Sequence, residues 1–464
     1  MSSTADTKIS PITQTLAAYI AAAPRKALPK AVTEKTKHHI LDTLAAMVSG
    51  SKLPPGKAAL AYAKTLGGTK EATVVGSRMQ STAVNAALAN AMMAHADETD
   101  DSHAPSMMHP GCAIVANALA FGERCRTSGT AMLRAVALGY DVGARLNISL
   151  GEATFRKVGH LTHCFGPTFG ATAAAAALSG FNARKVRYAL AYAAQQAGGL
   201  SSYARDTEHI EKAFDFGGMP ARNGATAVSM VAAGCTATDD ILFGERSFYA
   251  AYDESARTGR APDPSVLISD LGTRHEIMRT NIKRWTVGSP IQAPLHSLLT
   301  LIREHHIKAD DVEKLVVRVS ITGANTVGDR EMPDICMQHM CAVMLLDGIA
   351  TFESAHDLKR MKNAKVLAVR KRIELIGDEA LQKKLPQRQG IVEITLKDGR
   401  TVSHHTEAVS GTPDNPMTRA EVDEKCYHLM APVLGAKKSR TLCDTIWQLE
   451  KLTDARQLRP LVQC

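Results

Sequence analysis

Residues 81–96, STAVNAALANAMMAHA, place small apolar side chains on every face of a helix, with Ser81 and Thr82 as candidate N-caps. A helix with no polar stripe has to be buried all round. Its small side chains also let neighbouring backbones come close. Two further stretches share this texture, GTAMLRAVALGYDVGARLNISL and PTFGATAAAAALSGF. A chain built from such segments folds as packed helices rather than as sheets. Aromatics at 5% and abundant alanine agree with that, and 464 residues are enough for two domains.

From about Ile12 to Met230 the pattern is helical almost throughout, and AVTEKTKHHILDTLAAMVSG stops at Gly50 as a C-terminal cap. The texture changes after about Met278. VEKLVVRVSITG alternates β-branched and charged residues, and GIVEITLKDGRTVSHHTE reads as a hairpin turning at Asp398-Gly399. Helices are expected between them, in DICMQHMCAVMLLDGIA and AHDLKRMKNAKVLAVRKRIELIG, and again after Pro416. The fold expected is mainly α: a helical domain over 1–276 and 409–464, interrupted by a smaller α+β domain over 277–408.

Some function classes are disfavoured by composition. A net charge of +9 is carried by scattered residues, with no basic tract, so nucleic acid is not an expected partner. The nine cysteines include no CxxC and suit reduced thiols in a cytoplasmic protein. The N-terminus lacks the pattern of a signal peptide, and no apolar run reaches the ~20 residues of a membrane helix. HExxH, P-loop, GxSxG and dinucleotide fingerprints are absent, and neither a cofactor nor a metal is expected.

Chemistry concentrates in five stretches. AHADETDDSHAPSMMHPG, residues 94–111, crowds His95, Glu98, Asp100, Asp101, Ser102, His103 and His109 behind a buried helix. A metal cage, an acid/base site and a solvated loop all fit that composition. If the helix runs to about Ala96, His95 and Glu98 lie one turn apart. His109, between Met108 and a Pro-Gly turn, is the member hardest to leave in water. GHLTHCFGPTFGATAAAA offers His160 and His163, with glycines that favour a loop leading to a helix near Thr168. TEHIEKAFDFGGMPARNGATA carries Lys212 and Arg222; NIKRWTVGSPIQAPL carries Lys283 and Gln292; and MPDICMQHMCAVMLLDG sets His339 on an apolar helix.

These stretches, in this order, resemble the MmgE/PrpD family, and the resemblance covers essentially the whole chain. It implies a large helical domain made from both chain ends, an inserted α+β lid domain, a homodimer, and metal-free chemistry on small polycarboxylates. The family's acidic motif, Asp-aromatic-Asp-Asp-Thr followed by His-Pro, reads here Glu98-Thr99-Asp100-Asp101-Ser102 with His109-Pro110. His163, or alternatively His160, matches the family's second histidine. Lys212 and Lys283 match its two lysines, with one extra residue after Lys212. Gln292 replaces a family histidine, and His339 stands where several relatives place a tyrosine.

The resemblance thus implies His109 and His163 as the acid/base pair. Lys212 and Lys283, with Arg222 as a possible third cation, would face substrate carboxylates. Glu98 and Asp101 would orient the imidazoles or bind a hydroxyl, and Ser102, His103, His160, Gln292 and His339 would contact substrate. Because Lys283 comes from the inserted domain, a site in the interdomain cleft is implied. The leading reading is a dehydratase-type lyase of a 2-methylcitrate-like hydroxy-polycarboxylate. An epimerase of an imino- or amino-dicarboxylate and a decarboxylase of the cis-aconitate type are the alternatives inside the family. A metal-dependent hydrolase using His95, His103 and His109, and a helical scaffold without chemistry, are the readings outside it.

Overall fold

The computed structural model describes residues 9–464. Helices hold 61% of the chain and the sheets are small, so the protein is mainly α. It divides into two compact units. One comprises the chain up to Ala96, Asp101–Thr280 and Arg419–Cys464; the other comprises Asp97–Asp100 and Asn281–Thr418. No helix of the described residues is long and apolar enough to cross a membrane.

In the first unit the alanine-rich helices pack backbone to backbone. The Ala83–Ala94 helix opens on Thr82, whose hydroxyl accepts the Asn85 N–H at 3.2 Å, and it is buried on nearly every face. It ends two residues short of Ala96. The helices Gly129–Ser149 and Thr162–Leu178 cross through paired glycines. A Cβ on Gly166 would lie 2.6 Å from the Gly143 carbonyl oxygen, and one on Gly170 would lie 2.5 Å from that of Gly139. Those glycines are therefore contact points inside a helix and not the mark of a loop, so the helix starts at Thr162 rather than near Thr168. His163 consequently rides on its first turn.

The chain's last helices return to this unit. Lys425 Nζ pairs with Asp42 at 2.5 Å, and Lys37 Nζ donates to the Trp447 carbonyl at 2.9 Å and to Glu450 at 2.8 Å. These contacts tie Arg419–Leu434 and Ala436–Trp447 to the Lys30–Gly50 helix. A two-residue antiparallel pair, β1 (Ala72–Thr73) and β2 (Gln80–Ser81), is the unit's only sheet among the described residues.

The second unit is built on a four-stranded sheet in the order β4-β3-β5-β6. β3 (Val312–Ser320) runs parallel to β4 (Ile373–Asp378) and antiparallel to β5 (Gly390–Leu396), which turns at Gly399 (φ 88°) into β6 (Thr401–Thr406). β4 corrects the expectation of helix through residue 377: the helix stops at Arg370, and Ile373–Asp378 pairs with β3 over Leu315–Ser320. Helices Ser289–His305 and Met337–Asp347 supply Ile291, Leu295, Leu298, Met340 and Met344 to a core shared with Val317 and Ile394 of the sheet.

The glycine crossing gives a direct test. Gly170→Val places side-chain carbon against the Gly139 backbone, which cannot yield. A fall in Tm of about 5 °C or more is expected, measured by thermal denaturation beside the wild type.

Candidate active site

Behind the Ala83–Ala94 helix the acid-rich run is almost wholly buried. Asp101 is its anchor. Asp101 Oδ1 accepts the Gly111 N–H at 2.9 Å, while Oδ2 accepts the Tyr140 hydroxyl at 2.6 Å and lies 2.7 Å from His39 Nδ1. All four residues are buried. Burial pushes His39 down to about 4, so it is neutral at physiological pH and donates through Nδ1–H. Burial, followed by the charge of Asp101, raises the Tyr140 hydroxyl well above its usual range. With these three donors Asp101 holds the first turn of the Pro110–Cys125 helix, and with it the corner carrying His109. His39 and Tyr140 escaped sequence reading because they stand 62 and 39 residues away from Asp101.

Between Asp101 and His109 the chain closes a tight loop. His103 N–H donates to the Met108 carbonyl at 2.8 Å, Met108 N–H returns to His103 at 3.3 Å, and Met107 takes a left-handed conformation (φ 50°). The His103 ring serves this loop: Nδ1 lies 2.7 Å from Ser106 Oγ and Nε2 lies 3.3 Å from Glu276. Ser102 is half-buried within it.

His109 faces other histidines. Its ring lies 4.8 Å from His95 and 5.3 Å from His163, and His209 lies 5.3 Å from His95. Phe216 is wedged among them, stacked on His163 at 3.8 Å and 9° and on His95 at 4.7 Å and 19°. Phe216 sits in a π-helical turn, Phe214–Gly218. Such a turn takes up one residue more than an α turn and is enriched at functional sites. Gly217 and Gly218 let this turn press on the Ala83–Ala94 helix, since a Cβ on Gly217 would lie 2.3 Å from the Ala91 carbonyl oxygen. Lys212 Nζ lies 5.3 Å from the Phe216 ring centre. His209, at φ 63°, holds a conformation that few non-glycine residues adopt, and it starts the turn that carries Lys212.

His163 is strongly perturbed. Burial, then the charges of Arg156, His109, His95 and Lys212, hold it well below the usual histidine range. Its Nδ1 is buried and has no hydrogen-bond partner among the described residues. His163 is therefore a neutral imidazole, able to accept a proton.

In the second unit Lys283 is 3% exposed, and its Nζ stands 3.1 Å from Glu98 and 3.7 Å from Asp100. Burial alone would lower this ammonium, but the two carboxylates outweigh it and raise it. Lys283 is held in place through Ile282, whose N–H donates to the Gly411 carbonyl at 2.9 Å. Asp97, in the same segment as Glu98 and Asp100, accepts the Thr99 N–H at 2.9 Å and the Thr99 hydroxyl at 2.7 Å. His356 Nε2 lies 3.1 Å from Asp97, within ion-pair distance. Its Nδ1–H donates to the Phe352 carbonyl at 2.6 Å. Burial pulls His356 down, but Asp97 outweighs it and lifts the imidazole to about 9.

Other expected site residues are drawn elsewhere. His160 lies 2.7 Å from Glu254 and stacks on Phe155 at 4.2 Å. Arg222 lies over the Phe214 ring and donates to the Asn223 side-chain oxygen at 3.1 Å and 3.2 Å. Gln292 bonds the Trp285 and Val287 carbonyls at 2.8 Å and 2.9 Å and accepts the Trp285 N–H, so it braces the loop behind Lys283. His339 is wholly buried, pushed down to about 4 by burial and then by Arg370 and Arg360, with neither ring nitrogen hydrogen-bonded among the described residues.

Over residues 14–260 the chain matches the MmgE/PrpD N-terminal domain, and over 285–451 the MmgE/PrpD C-terminal domain. It is 24% identical over 467 residues to a cis-aconitate decarboxylase of Aspergillus terreus (strain NIH 2624 / FGSC A1156), covering 94% of this chain and 93% of the relative. It is 25% identical over 453 residues to the cis-aconitate decarboxylase of Homo sapiens, covering 93% and 90%. With that of Mus musculus it shares 24% identity over 472 residues, covering 97% and 93%.

The His356–Asp97 pair has a pH signature. His356 is lifted from its ordinary 6.5, so what the pair contributes is full below about pH 6.5 and is lost as pH rises through about 9. In an NMR titration, a ring proton signal that vanishes in His356→Gln should titrate near 9, and at a much lower pH in Asp97→Asn, where burial is no longer outweighed. A midpoint near 6.5 in the wild type would refute the pairing.

Proposed function

This chain belongs to the MmgE/PrpD family of enzymes, and we propose that it is a lyase of a small hydroxy-polycarboxylate, working by proton abstraction next to a carboxylate. The observation that carries the reading is His163: a buried imidazole kept neutral, with an unpartnered Nδ1, beside His109. A carbon-bound proton next to a carboxylate is a very weak acid. Its removal needs a base that is unprotonated at neutral pH and cations that steady the charge left behind.

In the dehydration we assign, His163 takes the proton and the electron pair forms the alkene as the C–O bond breaks. The hydroxide leaves as water with a proton from His109. His163 ends protonated and His109 neutral, and proton exchange with solvent restores both. Lys212 is the cation of the histidine set. Lys283, which the resemblance implies faces a substrate carboxylate, is ion-paired with Glu98 and Asp100 within the second unit. Asp101 serves through position: its three donors are all protein groups, and it fixes His109 by way of Gly111.

A second reading is favoured by the relatives, which are named cis-aconitate decarboxylases. Decarboxylation breaks a C–C bond, releases carbon dioxide and leaves an electron pair on carbon that a histidine must protonate. That task falls to His109 in its protonated form, and it makes less use of a neutral His163. Epimerisation would use both histidines across one carbon with no leaving group.

Proton NMR in deuterated water, with 2-methylcitrate, citrate, cis-aconitate and iminodisuccinate as the panel, separates these outcomes. Deuterium entering next to a carboxylate with an alkene appearing is expected. Carbon dioxide loss from cis-aconitate would select decarboxylation, and exchange without loss would select the epimerase. No reaction with any of the four would overturn the lyase reading.

His163→Gln should lower kcat by about 100-fold or more in a folded protein; unchanged kcat would remove His163 from the mechanism. Lys283→Ala is a poorer probe, because it strips the cation from two buried carboxylates. A loss of about 3–5 kcal/mol of stability is expected from that change, read from chemical denaturation.

A further inference from the structure

Polycarboxylate chemistry needs cations that are not already spent on protein acids. Lys283 is paired with Glu98 and Asp100, and Arg222 faces Phe214 and Asn223. Arg156 differs from both. It lies half-buried on the short Glu152–Lys157 helix, and among the described residues no carboxylate comes within ion-pair distance of it. Its NH2 donates to the Tyr203 hydroxyl at 2.6 Å. After burial, its charge does most to keep His163 neutral.

Tyr203 supplies the second half of the arrangement. Its ring meets Phe216 edge-on at 4.7 Å and lies 6.0 Å from the His163 ring. The guanidinium can only donate, so the Tyr203 oxygen is the acceptor and keeps its own proton to give. That proton has no acceptor among the described residues. A guanidinium with donors to spare and a phenol with an unused proton, side by side next to a neutral histidine, match a carboxylate.

The surrounding structure fixes both groups. Phe155 anchors the helix of Arg156 among His160, Phe165 and Tyr252 at 4.2, 5.0 and 6.1 Å. The strap leading to Tyr203 is laced to the next segment: Leu161 N–H donates to Gly199 at 3.2 Å, Ser201 N–H to Gly159 at 3.0 Å, and Ser201 Oγ to the His160 carbonyl at 3.1 Å. His160, held by Glu254, thus supports this region without facing the other histidines.

We propose that Arg156 and Tyr203 form a carboxylate-binding subsite beside His163, taking one terminal carboxylate of a di- or tricarboxylate substrate through the guanidinium and the phenolic proton. This rests on the reading of the histidine set as the centre of polycarboxylate chemistry. It differs from that reading in what it requires, because binding can be measured without turnover.

The experiment is calorimetric titration of the full chain with tricarballylate, an unreactive tricarboxylate, alongside steady-state kinetics on whichever panel compound reacts. The wild type should bind tricarballylate. Arg156→Gln should weaken binding about 10- to 100-fold and raise KM in proportion. Arg156→Lys should recover part of the affinity, and Tyr203→Phe should lose several-fold. Thermal denaturation of each variant separates lost binding from lost fold, and the two milder variants decide the matter if Arg156→Gln does not fold.

Equal affinity in wild type and folded Arg156 and Tyr203 variants would overturn the subsite, as would a wild type that does not bind tricarballylate at millimolar concentration. Arginine-dependent binding in a protein that transforms none of the panel would keep the subsite and sink the lyase reading. Turnover with an unchanged KM in Arg156→Gln would do the reverse.

Discussion

The buried carboxylate of Asp101 is the contact on which the helical part of the site depends. It joins the Lys30–Gly50 helix through His39, the Gly129–Ser149 helix through Tyr140 and the Pro110–Cys125 helix through Gly111. A charge taken this far from water is tolerated only when its oxygens are well supplied with donors. Three donors meet that demand, and each comes from a different helix. The same requirement makes the His109 corner rigid, because Gly111 cannot move without leaving the carboxylate short of a donor. A Cβ on Gly111 would lie 2.5 Å from Thr43 Oγ1 and 2.8 Å from Asp101 Oδ1, so the approach is also sterically set.

Alanine and glycine do a second job besides close packing. They bury polar residues by leaving no side chains to stand between them and the neighbouring backbone. The π turn at Phe214–Gly218 shows the consequence. Its glycines let it settle on the Ala83–Ala94 helix, and Phe216 then enters between His95 and His163. An apolar ring stacked on an imidazole offers its ions no compensation, so desolvation dominates and His163 stays neutral. The chemistry of the histidine thus follows from a helix irregularity in another segment, Phe214–Gly218.

How much of this the sequence reveals depends on the range of the signal. Helix type, the Asp398–Gly399 hairpin and the texture change toward β-rich sequence are local, and period and turn chemistry expose them. The start of the Thr162–Leu178 helix is hidden from the sequence because glycine reads locally as a loop signal, whereas Gly166 and Gly170 answer to Gly143 and Gly139 on another helix. Ile373–Asp378 looked like a continuing helix because its strand partner lies some sixty residues earlier. The site divides in the same way. Its residue types crowd visibly into 94–111, but spacing alone could not separate His163 from His160, nor show that Gln292 is spent on bracing Trp285 and Val287. His356, Arg156 and Tyr203 carried no local signal at all. Each matters through one partner brought close only by the fold.

Charge placement in the two units follows contrasting rules, and the contrast bears on what each can do. In the second unit the acids of the 97–100 segment are matched by cations: Lys283 stands between Glu98 and Asp100, and His356 is charged by Asp97. Such a set resists change, since removing any member leaves its partner buried and unpaired. In the first unit His163 and Arg156 follow another rule. His163 is neutral, Arg156 has no acid partner among the described residues, and their mutual effect is to suppress protonation. A balanced cluster keeps a segment in place, whereas an unbalanced one favours the arrival of an anion. A polycarboxylate is an anion that can also release a proton to a neutral histidine. Its negative charge offsets the arginine that keeps His163 from holding a proton, so binding itself makes the histidine a stronger base.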